Sequence, residues 1–262
     1  MSCGPSEVVA RALVGFAALL LTAAPGLTEP PSVVDVLERA ERQRGVGVPC
    51  RFVATIHRHG GAASAAPDQQ PVPSDASVVA VQADGFARQL VFVQKPSRGD
   101  VMLVTADAVW LRPRRLHRLT RVPPDLRMFN GASVSDVTAI DVRANYVATL
   151  RDDGASATEY VVDLVAKRDG VRYPRATYRI QQGSFLPLGL ELMAASGKEL
   201  KRISYARFET VLGRNVPTML TVEDLVFHDT SVVRMSDFEA VPASDPAMFL
   251  PDHLLALPDL AS

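Results

Sequence analysis

The sequence contains few of the residues on which disulfide, metal and cofactor chemistry usually depends. Its 262 residues include two cysteines, five histidines and one tryptophan. Cys3 lies in a segment that we predict to be removed after secretion, so Cys50 alone would remain and no disulfide could form within the mature chain. Cys50 begins an apolar run, which favours a small buried residue over a reactive thiol.

An excess of charge of one sign is also missing. The chain has 28 lysines and arginines against 29 aspartates and glutamates. Nucleic-acid binding needs a strongly basic face, so this balance argues against it. With 47% hydrophobic and 22% charged residues, the composition is that of an ordinary globular protein. We therefore expect no nucleic-acid partner.

The motifs of the common enzyme classes do not occur. There is no G-x-S-x-G elbow, phosphate-binding loop, G-x-G-x-x-G or C-x-x-C. His57 and His59 would share one face of a strand, but zinc needs three or four ligands and no Cys, Asp or Glu neighbour completes a set. Asp152 and Asp153 precede a glycine, which predicts a turn and not a pair of catalytic carboxylates. We predict neither an enzyme, nor a metal site, nor a cofactor.

The N-terminal residues have the pattern of a targeting signal. An apolar run from Ala12 to Ala24 follows Arg11 and ends in small residues that suit signal peptidase. The run is shorter than the roughly 20 residues that span a bilayer. We predict a secretory signal peptide over residues 1–28, with an uncleaved anchor as the alternative. Residues 29–262 would then form a single domain in the periplasm.

One helix and a long series of strands follow. Ser32 is a typical N-cap and Asp35 stands three residues on, which predicts a helix over residues 32–44. Its apolar stripe consists of Val33, Val34, Val36, Leu37 and Ala40. From there to Ala240, β-branched and alternating segments are separated by short glycine turns, which predicts an antiparallel meander.

A meander of this length should curl, since large twisted sheets rarely stay open and flat. We expect an antiparallel, incomplete β-barrel, mainly β with a few helices. The N-terminal helix and a short helical segment around Leu126–Ile140 would cover its open side as a lid. Residues 60–77, rich in Ala, Pro, Ser and Gln, predict a flexible loop between the first two strands.

Several short motifs carry a family resemblance. Trp110-Leu111-Arg112-Pro113 precedes a basic stretch and then the segment from Phe129 to Asp136. Asn145–Leu150, Ser196–Lys201 and Val216–Met219 follow in the same order as in the family. With these motifs the sequence resembles the outer-membrane lipoprotein-sorting proteins, the LolA-like periplasmic carriers. The resemblance covers about residues 50–250 and implies the half-open, lidded barrel of LolA and LolB.

The resemblance implies a carrier, not a catalyst. Such a protein binds the acyl chains of lipoproteins in a hydrophobic cavity and ferries them from an inner-membrane transporter to an outer-membrane acceptor. We expect it to act as a monomer. One alternative is a periplasmic protein that binds another lipid, such as a sterol, a hopanoid or a free lipid, and works with an export pump. A second alternative is an interaction module of the envelope that binds no ligand.

Apolar strand positions are the candidates for the ligand cavity. An ordinary packed core is the competing interpretation of each, but a half-open barrel cannot fill its interior with its own side chains. The predicted cavity residues are Phe52, Ile56, Val91, Val93, Leu103, Trp110, Leu190, Leu192, Ile203, Tyr205, Leu220 and Val222.

Two further groups of residues belong to the predicted site. The lid and its hinge would be formed by Phe129, Gly131, Ser133 and Asp136. The basic stretch could be a solvated strand and turn, or a surface for acidic partners and lipid headgroups, because arginine can bind phosphate with two hydrogen bonds. The predicted docking residues are Arg112, Arg114, Arg115, Arg118 and Arg121.

Overall fold

Antiparallel strands dominate the structure, which is a computed structural model. It describes residues 31–59, 76–84, 88–95, 98–105, 108–116, 118–123, 126–129, 132–134, 141–151, 158–243 and 245–257. The predicted signal peptide lies outside these residues, and so do residues 60–75 of the predicted loop. Gly131 and Asp136 of the predicted lid and hinge also lie outside them.

Helix α1 spans Val33–Arg44, as predicted. Its N-cap is Ser32, whose hydroxyl accepts a hydrogen bond of 3.2 Å from the backbone N–H of Asp35. Val36, Leu37 and Ala40 are buried. Val34 is 63% exposed, so the predicted apolar stripe was wrong at that position. Two charged residues of the helix are buried instead and are described with the candidate site.

The described residues contain fifteen strands and two further short helices. The first strands are β1 Cys50–His59, β2 Ser77–Asp84, β3 Arg88–Lys95, β4 Val101–Thr105, β5 Val109–Arg112, β6 Thr120–Val122, β7 Arg127–Phe129 and β8 Ala132–Ser133. The remaining strands are β9 Tyr146–Leu150, β10 Glu159–Ala166, β11 Arg175–Gln181, β12 Pro187–Met193, β13 Glu199–Val211, β14 Arg214–Asp224 and β15 Asp229–Ala240. The short helices are α2 Val142–Asn145 and α3 Pro251–Ala256, and a 3₁₀ turn covers Pro246–Phe249.

Thirteen strands form one antiparallel sheet in the order β6-β5-β4-β3-β2-β1-β15-β14-β13-β12-β11-β10-β9. The sheet consists of two meanders, β1–β6 and β9–β15, which are joined where β1 pairs with β15. Strands β6 and β9 are its two edges and do not pair with each other. The prediction of a mainly β fold built on an unclosed antiparallel sheet is therefore confirmed.

A separate hairpin lies on the chain between the two meanders. Strands β7 and β8 pair antiparallel, with Arg127 opposite Ser133 and Phe129 opposite Ala132. The prediction of a helix from Leu126 to Ile140 was therefore wrong for residues 127–129 and 132–133. A helix this short is marginal by itself, and pairing as two strands buries Phe129 and Ala132 against the main sheet.

The two faces of the sheet carry different buried clusters. We call the face covered by α1 and the β7–β8 hairpin the inner face. Its first cluster lies under the hairpin and includes Phe129, Ala132 and residues of β1–β5, β14 and β15. Its second cluster lies under α1 and includes Val36, Leu37 and residues of β9–β14.

The C-terminal segment covers part of the opposite, outer face. Phe249 and Leu254 pack against Leu90, Val101 and Leu103 of β3 and β4 and form the outer cluster. The 3₁₀ turn gives way to α3 at Pro251. Within the described part of the chain, none of the helices combines the length and the apolar character needed to cross a membrane.

Candidate functional site: the inner face of the sheet

Strand register brings predicted cavity residues side by side under α1. Leu190 of β12 lies opposite Ile203 of β13, and Ile203 lies opposite Val222 of β14. On the other side of Leu190 the row continues to Tyr178 of β11 and Val162 of β10. All five belong to the second cluster, so the row presents a continuous apolar surface with one tyrosine hydroxyl in it.

A second row links the two inner clusters. Tyr205 lies opposite Leu220, Leu220 opposite Val233, and Val233 opposite Ile56. Leu220 packs against both clusters and is only half-buried. The apolar surface of the inner face is therefore continuous from the region under α1 to the region under the hairpin.

A third row lies under the hairpin. Phe52 pairs with Val81, Val81 with Val91, and Val91 with Met102. These residues all contribute to the first cluster. Ten of the predicted cavity residues lie on the inner face: Phe52, Ile56, Val91, Val93, Leu190, Leu192, Ile203, Tyr205, Leu220 and Val222.

The prediction was wrong for Leu103 and Trp110. They lie opposite each other on β4 and β5, but they belong to the outer cluster with Phe249 and Leu254. Neighbouring residues of a strand point to opposite faces, so assigning the wrong parity to a short strand reverses every side chain on it. On β4 the inner-face residue is Met102.

Polar side chains border the apolar surface where β14 turns into β15. The buried ammonium group of Lys201 lies 3.4 Å from the carboxylate of Asp224 and donates a hydrogen bond of 3.3 Å to the hydroxyl of Ser133 in β8. Because Ser133 belongs to the hairpin and Lys201 to the main sheet, this contact ties the hairpin to the inner face.

A second polar contact holds the other strand of the hairpin. The buried carboxylate of Asp229 pairs with Arg127 of β7 and, at 2.6 Å, with Nε of Arg58. The guanidinium of Arg127 also lies 4.7 Å from the centre of the Phe227 ring. Each strand of the hairpin is therefore attached to the main sheet by a charged group.

The most unusual polar group lies between α1 and the second cluster. Glu41 and Arg44 are buried on α1 and pair at 2.6 Å. Burial alone would lower the pKa of Arg44, but the Glu41 carboxylate and the Tyr205 and Tyr178 hydroxyls together outweigh this effect, and the pKa is raised. Tyr178 and Tyr205 lie beside this pair, and burial is the main reason why the pKa of each hydroxyl is raised.

The predicted docking arginines separate into two groups. Arg112 is buried, and its Nη1 donates a hydrogen bond of 3.0 Å to the carbonyl of Leu257 after α3. The prediction of a docking role was therefore wrong for Arg112, since its guanidinium supports the C-terminal segment. Arg114, Arg115, Arg118 and Arg121 are exposed, the first three between β5 and β6 and the last within the edge strand β6.

The described residues contain no group of three or more His, Cys, Asp or Glu side chains that could hold a metal ion. His57 is buried on β1, opposite Val232. Cys50 is buried in the first cluster, and burial raises the pKa of its thiol to about 11, so the thiolate is disfavoured.

The sequence alone did not identify the buried charges of the inner face. Lys201, Asp224 and Asp229 stand at the inner-facing parity of their strands, and Glu41 and Arg44 continue the buried stripe of α1. This periodicity was the feature of the sequence that could have identified these residues as buried. A charged residue within an apolar repeat is ordinarily assigned to solvent, because charges are rarely buried unless they are paired.

Comparison with solved structures defines the class of fold. A LolA superfamily protein from Nitrosomonas europaea matches with a TM-score of 0.69 and 23% identity, over 85% of this chain and 99% of that one. A domain from Vibrio parahaemolyticus, described as an outer membrane lipoprotein-sorting protein, gives 0.62 and 16%, over 84% and 96%. A DUF1329 family protein from Desulfovibrio piger gives 0.63 and 17%, over 85% and 98%. The protein has the LolA-like fold, and the resemblance seen in the sequence is confirmed at this level.

A family model described as "Uncharacterized protein" matches residues 85–255. This range is more than half of the chain, and the protein belongs to that family. No curated protein matches the sequence.

Proposed function

We propose that the protein is a periplasmic carrier that holds acyl chains of lipoproteins against the inner face of its sheet and ferries them toward the outer membrane. The main support is the continuous apolar surface of that face, which runs under two covering elements, α1 and the β7–β8 hairpin. The LolA-like fold adds to this support. The task requires no catalytic group, because no covalent bond is made or broken.

The energetics of such a carrier limit how completely it can enclose its cargo. Burial of one methylene group is worth about 0.8 kcal/mol, so one long acyl chain contributes on the order of 10 kcal/mol. Full burial of several chains would exceed the practical ceiling of about 20 kcal/mol for non-covalent binding. A carrier that must release its cargo therefore needs partial burial, or a cover that closes at some energetic cost.

The β7–β8 hairpin is the proposed cover, with Gly131 as its hinge. Phe129 and Ala132 occupy the first cluster, so the hairpin fills space that an acyl chain could take once the hairpin moves away. Replacing Gly131 by Val should slow cargo transfer between donor and acceptor membranes. Unchanged transfer would contradict the hinge.

The exposed arginines are the proposed docking surface. Arg114, Arg115, Arg118 and Arg121 lie near one edge of the sheet, where they can reach acidic partners or lipid phosphates without disturbing the fold. An inner-membrane transporter and an outer-membrane acceptor are the partners that this role requires.

A pair of matched variants tests ligand binding on the purified protein. Leu220 lies on the inner face and Val161 on the outer face, and both are half-buried. Replacing Leu220 by Gln should weaken the binding of a fluorescent fatty acid several-fold, because it places a polar amide on the apolar surface. Replacing Val161 by Gln should leave binding unchanged. Equal effects of the two variants would contradict binding on the inner face.

Depletion of the protein in its own bacterium tests the cargo. Lipoproteins should accumulate in the inner-membrane fraction after depletion and return to the outer membrane when the wild-type chain is restored. Normal lipoprotein distribution would contradict lipoprotein transport and leave a different lipid as the cargo.

A different lipid cargo is the second candidate, and one observation favours it. The buried and mutually paired Glu41, Arg44 and Tyr178 place a polar cluster within the apolar surface of the inner face. A sterol, a hopanoid or a free lipid carries a polar group that could reach them. Mass spectrometry of lipids that copurify with the protein would distinguish such a ligand from lipoprotein acyl chains.

A further inference from the structure

The turn between β14 and β15 presents two neighbouring apolar side chains to solvent. Val226 is 51% exposed and Phe227 is 61% exposed. Every other phenylalanine, tyrosine or tryptophan whose side chain the structure describes is buried or half-buried. Single apolar residues on a surface are ordinary, but an exposed apolar pair at the tip of a hairpin indicates an interaction surface.

The backbone of the turn sets the outward position of this tip. Oδ1 of Asp224 accepts hydrogen bonds of 3.1 Å from the backbone N–H groups of both Val226 and Phe227. His228 follows in the left-handed region, with φ at 52°, and leads into β15. The two apolar side chains are therefore held on a defined turn that projects from the end of the sheet.

Two arginines lie at the base of the tip. The guanidinium of Arg127 lies 4.7 Å from the centre of the Phe227 ring. Arg127 and Arg58 both pair with the carboxylate of Asp229, Arg58 through Nε at 2.6 Å. One negative charge is therefore shared between two guanidinium groups. Because the side chain of Arg58 is 60% exposed, its Nη groups can donate to an anion that approaches from solvent.

An apolar tip beside arginines matches the chemistry of an anionic membrane surface. Phenylalanine and valine can enter the boundary between headgroups and acyl chains, and arginine can bind a lipid phosphate with two hydrogen bonds. An acidic protein could also bind the arginines, but it would need a preformed pocket for the projecting tip. A lipid bilayer accepts such a tip without a pocket, so the geometry favours the membrane.

This surface differs from the exposed arginines near β6 and shares a residue with the proposed cover. In the order of the sheet, five strands separate β6 from β15. Arg127 belongs to β7 of the hairpin. A lipid phosphate that bound Arg127 would compete with Asp229, and entry of Phe227 into the bilayer would take its ring away from the guanidinium. Both changes would remove contacts that attach the hairpin to the main sheet.

We propose that the β14–β15 turn, with Arg58 and Arg127 at its base, binds the phosphate groups of an anionic membrane, and that this binding loosens the β7–β8 hairpin. Binding to the membrane requires no cargo. The effect on the hairpin rests on the proposed function and deepens it, because it makes the membrane itself the cause that moves the cover.

Co-sedimentation of the purified protein with lipid vesicles tests the surface. One set of vesicles contains phosphatidylglycerol and phosphatidylcholine, and the other contains phosphatidylcholine alone. The wild type should bind the anionic vesicles more tightly, and added salt should reduce the difference. Phe227→Ser should weaken binding to the anionic vesicles about tenfold, because it removes the apolar group that enters the bilayer. Arg58→Gln should weaken this binding about fivefold.

Two matched variants control for the general effect of a substitution. Leu212→Ser changes an apolar residue, 41% exposed, in the turn at the other end of β14. Arg179→Gln changes an exposed arginine that pairs with a carboxylate on a neighbouring strand, here Glu159, as Arg58 pairs with Asp229. Both controls should bind the vesicles as the wild type does. The substituted side chains are exposed, so all four variants should fold.

Amide exchange tests the effect on the hairpin. In the wild type, anionic vesicles should speed exchange in residues 127–129 and 132–134 several-fold, whereas vesicles of phosphatidylcholine alone should not. Leu212→Ser should show the same acceleration as the wild type. Phe227→Ser should show much less of it at the same lipid concentration, because less of this variant is bound.

The outcomes separate this proposal from the carrier function. Lack of binding of the wild type to anionic vesicles, or equal effects of Phe227→Ser and Leu212→Ser, would overturn the membrane surface. Membrane binding without faster exchange in the hairpin would overturn the link to the cover. Phe227→Ser should bind a fluorescent fatty acid in solution as the wild type does, since Phe227 is exposed on the turn. Failure of the wild type to bind that fatty acid would contradict the carrier function and would leave the membrane surface intact.

Discussion

The ammonium group of Lys201 donates a hydrogen bond of 3.3 Å to the hydroxyl of Ser133 and so attaches the β7–β8 hairpin to the inner face. Lys201 is 4% exposed, and its second contact is Asp224 at 3.4 Å. A buried ammonium is costly without partners, so this lysine favours the arrangement in which the hairpin is docked. The contact would have to break for the hairpin to move as a cover.

Replacing Lys201 by Met should loosen the hairpin without unfolding the sheet. Methionine fills the same space, and Asp224 keeps two hydrogen bonds of 3.1 Å from the backbone N–H groups of Val226 and Phe227. We expect the loss of global stability to stay below the roughly 3–5 kcal/mol of an uncompensated buried charge, because Asp224 keeps these two backbone hydrogen bonds. Amide exchange in residues 127–129 and 132–134 should become about tenfold faster.

A second variant provides the comparison for this measurement. Asp229→Asn removes the ion pairs with Arg127 and Arg58 and should also speed exchange in the hairpin. Arg58 is 60% exposed at its side chain, so Arg58→Ala should have little effect. Hairpin exchange that is the same in the wild type and in both Lys201→Met and Asp229→Asn would show that these contacts do not hold the hairpin.

Local patterns were sufficient for much of the fold. The N-cap at Ser32 and the apolar spacing after it located α1, and short glycine turns between alternating segments indicated the antiparallel meander. Each of these features depends on residues that are close in sequence.

The errors arose where distant residues decide the structure. The face to which Leu103 and Trp110 point depends on their register with β3 and on cover from α3. Arg112 is buried beneath the C-terminal segment, where it contacts the carbonyl of Leu257. That partner lies 145 residues further along the chain. Neither relationship leaves a local pattern, and the same is true of the pairing between β1 and β15 that joins the two meanders.

Trp110, the single tryptophan of the chain, should report on the C-terminal segment and not on ligand binding. It is packed in the outer cluster beside Phe249 and Leu254. Replacing Phe249 by Ala should shift tryptophan emission to longer wavelength as water reaches the ring. A saturating non-fluorescent fatty acid should leave the emission unchanged, because it binds on the opposite face. A ligand-induced shift of the wild-type emission, with none in Phe249→Ala, would contradict this assignment.

Alanine substitutions of Arg112 and Arg118 should distinguish a residue that stabilises the fold from a residue that serves docking. Arg112→Ala should lower the free energy of unfolding by about 1.5–3 kcal/mol, because it removes a charged hydrogen-bond donor that is buried against Leu257. Arg118 is exposed, so Arg118→Ala should change stability by less than about 0.5 kcal/mol. Urea titrations would measure both effects.

The same two variants should behave in the opposite way toward anionic membranes. Arg118→Ala should bind more weakly than the wild type to vesicles that contain phosphatidylglycerol, with a smaller dependence on salt. Arg112→Ala should bind as the wild type does under conditions in which it stays folded. Equal binding of these vesicles by Arg118→Ala and the wild type would show that Arg118 is not part of the proposed docking surface.

Cys50 should make the protein less stable in alkaline solution. Burial raises the pKa of its thiol from 9.0 to about 11 in the folded chain. Between these values the thiol of the unfolded chain loses its proton before that of the folded chain. The contribution of Cys50 to the free energy of unfolding should therefore be constant below about pH 8 and should fall as the pH rises from 9 to 11. The contribution should not exceed about 3 kcal/mol. Buried tyrosines such as Tyr146, whose pKa rises to about 12, titrate in an overlapping range, so the thiol is isolated by subtracting the curve of Cys50→Ala. Parallel curves for the two proteins between pH 8 and 11 would show that the thiol ionises equally in the folded and unfolded chains.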